Sequence, residues 1–236
     1  MKKVKPAATI MLCRDNQGQL EVLLLKRNTT IVFGGIWVFP GGKVEPKEIA
    51  QGKDDLEAAT LAAVRETKEE TDLDITKEEL IFFRHWTTPI VEPRRYSTWF
   101  FYGESSADAK EVKIDDSEIK QHLWLHPQAA IDKMKAGELT MMPPTIMSLQ
   151  LIRKCQTVTE TRQKMEQLKP IFILPVLQQK GSTMVCLFEG DAGYELGEAD
   201  TSGARHRLSL NMKTGDFDFE YQGCDDAHPV NEGMHL

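Results

Sequence analysis

Residues 55–71 read DLEAATLAAVRETKEET, and the rest of the chain is best read outward from them. The stretch holds no Gly or Pro and is dominated by Leu, Ala, Glu, Arg and Lys, which lose little freedom in a helix. A helix is therefore expected from Asp55 to Thr71. Residues three and four apart stack along a helix, so Glu66, Glu69 and Glu70 fall on one face beside Arg65. Two carboxylates about 5 Å apart repel by about 3 kcal/mol at an effective dielectric of about 20. Spacing alone leaves two readings, an ordinary solvated helix face or a cation site, and for the second the hard donor set suits Mg²⁺, which takes oxygen ligands and bridges carboxylates to phosphates. Ala59, Ala62 and Ala63 share that side and would let it approach neighbouring backbone closely.

Before this helix, the runs Ala7 to Cys13 and Glu21 to Lys26 flank the turn Asp15-Asn16-Gln17-Gly18 and predict a hairpin. Trp37-Val38-Phe39-Pro40-Gly41-Gly42 then predicts a tight turn. After the helix, Leu80 to Thr87 and Tyr96 to Tyr102 read as strands around a Pro89 to Arg95 loop, with another strand at Gln121 to Leu125. Pro127 opens a helix through Lys135, and Pro143-Pro144 opens one through Ile152 and beyond. From Pro170 the pattern changes to strands: Ile171 to Leu177, Thr183 to Phe188, Arg207 to Met212 and Phe217 to Tyr221. Residues 1–165 are read as the main domain and 166–236 as a small β-rich extension packing on it.

The helix and the glycines before it resemble a family motif. Gly41-Gly42, Glu57, seven intervening residues, Arg65-Glu66-Thr67-Lys68-Glu69-Glu70 and Leu73 are similar to the Nudix box, G-x5-E-x7-R-E-U-x-E-E-x-G-U, with U a bulky apolar residue. The resemblance implies the Nudix fold, an α/β arrangement with a mixed β-sheet between helices. It implies a Mg²⁺-dependent hydrolase, with Mn²⁺ as a substitute ion, cutting the pyrophosphate link of a nucleoside diphosphate derivative. By the same resemblance Glu66, Glu69 and Glu70 bind metal, Glu66 activates water, Arg65 orients the cluster, Glu57 supports it, and Gly41 offers a backbone carbonyl. Acidic loops before the last sheet strand return a further ligand in many such enzymes, and Glu118 of Asp115-Asp116-Ser117-Glu118 is the expected one here.

Three positions depart from the motif. Fourteen residues separate Gly42 from Glu57 where the motif has five, so Lys47 to Asp55 reads as an insertion that lengthens a loop. Thr67 replaces an apolar residue, and Asp72 replaces the glycine that caps the helix in left-handed conformation. The insertion, Pro143-Pro144-Thr145 and the C-terminal extension are similar to the coenzyme A diphosphatase branch. A nucleotide sugar is the other substrate class in view.

Composition agrees with an ordinary folded globular protein. Of 236 residues 41% are hydrophobic and 28% charged, and the net charge of −7 argues against a nucleic-acid polymer as partner. Arg27, Arg94 and Arg95 are candidates for substrate phosphates. Trp86, Tyr96 and Trp99 are weighed as base-stacking residues against an ordinary core role, and Arg205 and Arg207 as an anion site against arginines on a strand edge. Met1-Lys2-Lys3 imitates the start of a signal peptide, but the apolar run after it is too short, and no stretch reaches the length of a membrane span. Cys13, Cys155, Cys186 and Cys224 form no metal or disulfide pattern, and Met234-His235-Leu236 is no peroxisomal address, so a cytoplasmic protein is expected. A homodimer is compatible with the sequence. Two rivals stand beside this reading. One is a Nudix-like module that senses a nucleotide without cleaving it. The other is an isoprenoid diphosphate isomerase, which needs a catalytic cysteine, and none lies near the motif in sequence.

Overall fold

The structure is a computed structural model that describes residues 4–29, 34–105, 111–114 and 116–224. Asp115, Met1-Lys2-Lys3 and Met234-His235-Leu236, singled out above, lie outside the described residues. In chain order the elements are β1 (Lys5–Asn16), β2 (Gln19–Arg27), β3 (Trp37–Val38), β4 (Gly41–Lys43), α1 (Pro46–Gln51), α2 (Asp55–Thr71), β5 (Ile81–Thr87), β6 (Tyr96–Glu104) and β7 (Ile119–Leu125). There follow α3 (Pro127–Lys135), α4 (Pro143–Ile152), α5 (Val158–Gln167), β8 (Ile171–Ile173), β9 (Val176–Lys180), β10 (Thr183–Leu187), β11 (Arg205–Asn211) and β12 (Phe217–Gln222). Among the described residues no helix is long and apolar enough to cross a membrane.

The main sheet runs β3-β2-β1-β6-β5-β8, with β4 also paired to β1 and β7 to β2. β1 and β6 are parallel, as are β5 and β8, and the other pairings are antiparallel, so the sheet is mixed. Both its faces are covered, which is why β1 and β2 read as continuous apolar runs rather than alternating ones. Alternate residues still separate. Ala8, Ile10, Leu12, Leu23 and Leu25 pack with Ala58, Ala59, Ala62 and Ala63 of α2. Met11, Cys13, Val22 and Leu24 turn the other way, to a larger cluster with Ile131 of α3 and Ile146 of α4. The β1–β2 turn places Gln17 and Gly18 at positive φ (50° and 78°), as the expected hairpin requires.

Three expectations are corrected. The segment read as an insertion is not only a longer loop: α1 runs into it, started by a capping box in which Glu48 accepts from the Glu45 backbone N–H at 2.7 Å. The run Ile171 to Leu177 is not one strand. It breaks before Pro175, whose missing N–H cannot serve a ladder, into β8, which joins the main sheet, and β9, which opens a second one. That second sheet, β12-β11-β10-β9, is antiparallel throughout. Finally, Arg207 is no exposed edge arginine. β11 is an inner strand, and Arg207 is buried with its guanidinium doubly bonded to Asp191, at 2.7 and 2.6 Å, and bonded to the Ala199 carbonyl at 2.6 Å. Arg205 is spent on the Thr201 carbonyl.

Candidate active site

α2 begins and ends where its sequence says. Asp54 caps it by accepting from the Glu57 N–H at 2.8 Å, and Asp72 closes it at φ 59°, the left-handed value expected of the residue standing for glycine. Thr67, in place of an apolar residue, is fully buried, and its hydroxyl donates to the Ala63 carbonyl four residues back. The alanine stripe seats the helix closely on β1 and β4. One and two turns further along that stripe stand Glu66 and Glu70, which are thereby drawn toward the sheet instead of toward water.

β4 supplies the opposing wall, and its glycines are needed for two reasons. Gly41 has φ 155°, and a Cβ there would sit 2.3 Å from the Ala8 carbonyl oxygen. A Cβ on Gly42 would lie 2.2 Å from Glu66 Oε1, so the bare backbone makes the space that the Glu66 carboxylate occupies. The Gly41 N–H donates to Glu70 Oε2 at 2.8 Å. Only 5% of Glu70 is exposed. Burial pushes its carboxyl up to about 8, helped by Glu66 and Glu118 and opposed by the Gly41 N–H and by Arg27. Glu66 is also raised, by burial first and by Glu69 and Glu118, against Arg65.

Arg65 organises the cluster. It bonds Glu48 at 2.5 Å, the Lys43 carbonyl at 3.0 Å, and Glu66 and Glu69 each at 2.9 Å. Burial disfavours its charge, but these carboxylates hold it firmly protonated. Its support comes from Glu48 and not from Glu57, which correct the earlier assignment: Glu57 accepts from the Lys53 N–H at 2.9 Å and pairs with Lys77 at 3.7 Å. The signal for Glu48 was present in the chain, since Gly42 and Glu48 keep the five-residue spacing of the motif. The insertion therefore falls after Glu48.

Glu69, drawn aside to Arg65, leaves 57% of its side chain exposed, so the three carboxylates do not all point to one spot. Among the described residues no three acidic, His or Cys side chains already converge as ligands of one ion. The donors nevertheless fit a hard divalent cation: a buried carboxylate, a second one with like charge beside it, and a glycine clearance that keeps side chains out of the space between.

A cavity of about 660 Å³ opens from this point. Arg27, Gly41, Gly42, Arg65, Glu66, Glu69 and Glu118 line one part of it, and Glu118 lies 3.6 Å from Arg27 at its rim. Arg94 and Arg95 are not brought there: Arg94 is exposed, and Arg95 ties its own loop by donating to the Thr88 carbonyl at 3.0 Å. Trp86 and Tyr96 line the cavity, whereas Trp99 packs elsewhere, against Phe82 and His85. Sequence reading did not anticipate that Leu177, Met184 and Cys186 of the second sheet also line it. The Cys186 thiol is pushed up to about 12 by burial, so no thiolate is available there at neutral pH.

The chain is similar to known proteins in sequence and in fold. A family model described as the NUDIX domain matches residues 3–143. A Caenorhabditis elegans protein, "Putative nudix hydrolase 7", is 25% identical over 224 aligned residues, covering 80% of this chain and 73% of its own. The crystal structure of a NUDIX hydrolase from Alicyclobacillus acidocaldarius is similar in fold, with a TM-score of 0.61 and 22% identity over 69% of this chain and 97% of that one. The matched segment spans β1 to the first residue of α4 and so contains β4, Glu48 and all of α2. The chain belongs to the NUDIX family and is a Nudix-type pyrophosphohydrolase.

Proposed function

We propose that this enzyme is Mg²⁺-dependent, with Mn²⁺ able to replace Mg²⁺, and that it cleaves the pyrophosphate link of a nucleoside diphosphate derivative, of coenzyme A type or a nucleotide sugar. The observation that carries the reading is the like-charged pair of buried Glu70 and half-buried Glu66, packed against Gly41 and Gly42, with Glu66 also lining the cavity. A bound divalent ion would neutralise phosphoryl charge and lower the pKa of water.

In this reading Glu66, Glu69 and Glu70 would hold the ion, and Glu118 would add a further carboxylate from the start of β7. Glu66, raised by burial but kept beside Arg65, would take a proton from the attacking water. Arg65, locked by Glu48, positions Glu66 and Glu69. Arg27 orients the diphosphate from the cavity rim.

The test is hydrolysis by the purified protein with Mg²⁺ of coenzyme A, ADP-ribose, NADH and dinucleoside polyphosphates, with products separated by chromatography. Cleavage of at least one at the diphosphate supports the reading. Tight binding of one with no cleavage of any would favour a nucleotide sensor instead.

A further inference from the structure

One register row of the main sheet runs along the cavity. Trp86 of β5 pairs with Thr98 of β6, Thr98 with Ala7 of β1, and Ala7 with Lys43 of β4. All four line the cavity, and Gly42, against which the Glu66 carboxylate packs, stands next to Lys43 at one end of the row. Neighbouring strands lie about 4.8 Å apart, so Thr98 and Trp86 are about 10 and 14 Å from that end. α4 reaches the far end as well. The guanidinium of Arg84, two residues before Trp86, donates to the Ser148 hydroxyl at 3.4 Å, and Thr145 stands one helical turn before Ser148. Trp86 and Thr145 are each one step along their element from that bond, and both line the cavity.

The fold leaves polar groups unused here. Only 5% of Thr145 is exposed and its N–H is bonded to the Met142 carbonyl, yet its hydroxyl has no hydrogen-bond partner among the described residues. The same is true of the hydroxyls of Thr98 and Tyr96 and of the Glu92 carboxylate, all of which are half-buried and line the cavity. Two other threonines of the cavity differ: Thr9 donates to the Pro40 carbonyl at 2.7 Å and Thr88 to the Tyr96 carbonyl at 3.2 Å. A buried hydroxyl left unpaired is costly, and native folds keep few of them.

Three hydroxyls that both donate and accept, beside a carboxylate that only accepts, match a ligand group carrying donors of its own. An alkyl group at this end would leave the Thr145 hydroxyl buried and unpaired, and a group with hydroxyl or amide N–H donors would satisfy it. We infer that the far end of the cavity takes an uncharged substituent of the diphosphate that donates hydrogen bonds through hydroxyl or amide groups, and that Thr145, with Thr98 and Glu92, sets this specificity. The inference rests on the proposed diphosphate chemistry for its orientation and adds the class of the second substituent.

Binding of three uncleavable probes tests it without requiring turnover. They are α,β-methylene-ADP-ribose, the 4-acetamidobutyl ester of α,β-methylene-ADP and its n-hexyl ester, each titrated calorimetrically into the full chain with Mg²⁺. At least one of the two donor-bearing probes is expected to bind about fivefold or more tightly than the hexyl ester, and which one does so tells hydroxyl from amide recognition. Thr145→Val, which keeps the shape and removes the hydroxyl, should weaken the preferred probe about three- to tenfold, leave the hexyl ester within about twofold, and not lower the denaturation midpoint. Thr98→Val should weaken the same probe and carries the test if Thr145→Val does not fold. A hexyl ester bound as tightly as both other probes, a preference unchanged in the folded variants, or equal weakening of all three probes would overturn the inference. Hydrolysis of the parent, oxygen-bridged compounds is measured alongside. A preference that responds to the variants but comes with no cleavage would remove the proposed activity and leave the specificity assignment standing.

Discussion

Two regions of this molecule bury carboxylates, and they do so under opposite conditions. In the second sheet, Asp191 is matched: both its oxygens take Arg207, and the His206 and Gly193 N–H groups donate to it. Burial alone would raise its carboxyl, but these partners outweigh burial and hold it below its ordinary value. At the end of α2, Glu70 is equally deep yet receives one backbone N–H and the repulsion of Glu66 and Glu118, and its carboxyl is raised. A buried charge with all its partners present holds a fold together. A buried charge left beside like charges is destabilising by itself and marks a place where something else is meant to bind.

The comparison can be broken first at its structural side. Asp191→Ala should destabilise the protein by about 3–5 kcal/mol, because Arg207 is left buried without its partner. Chemical denaturation measures this, and Asp191→Ala combined with Arg207→Met should recover much of the loss. The effect also has a pH signature. The folded carboxyl lies below its ordinary 3.8, so the stabilisation is present above that value and disappears as pH falls through the lower folded pKa. The stability gap between wild type and Asp191→Ala should accordingly be constant near neutrality and narrow below about pH 4. A gap independent of pH would mean that the charge of Asp191 is not what the pair uses.

A smaller effect sharpens the functional side. Glu48→Gln, which keeps a side-chain acceptor for Arg65, should lower metal affinity or turnover about 10- to 100-fold, as loss of a group that orients a metal ligand commonly does. Glu57→Gln, at the other acidic position of the motif, should stay near wild-type turnover. If the two variants exchange these outcomes, Glu57 and not Glu48 supports the site. Asp72→Gly marks the bottom of the scale. It relieves a left-handed residue but removes the Lys68 ion pair, so thermal denaturation should shift by no more than about 1 kcal/mol in stability.

Much of this was legible in the chain because it is local. The bounds of α2 and α3, the hairpin turn and the left-handed Asp72 follow from propensities, caps and glycines within a few residues of each feature. What was missed depends on distant partners. The insertion split the motif so that Glu48 kept its distance from Gly42 while Glu57 kept its distance from Arg65, and only the fold shows which one reaches the arginine. Arg207 looked like a solubilising residue because Asp191 is sixteen positions away in the loop that leads into its strand. Met184 and Cys186 belong to a strand that was expected only as part of the C-terminal extension, and their place beside the cavity follows from the break at Pro175 and the pairing of β8 with β5. The chemistry of α2 was readable before its surroundings were, because helical spacing alone puts the glutamates together.

The proposed divalent-cation site at Glu66 and Glu70, serving diphosphate cleavage, is open to direct measurement by Mg²⁺ titration of that cleavage in the wild type, Glu66→Gln and Glu70→Gln. Activity is expected to saturate with Mg²⁺, vanish with EDTA, and fall by about 10²-fold or more in either folded variant, the scale expected when a group stabilising transition-state charge is lost. Full turnover in Glu70→Gln, or cleavage indifferent to EDTA, would contradict it.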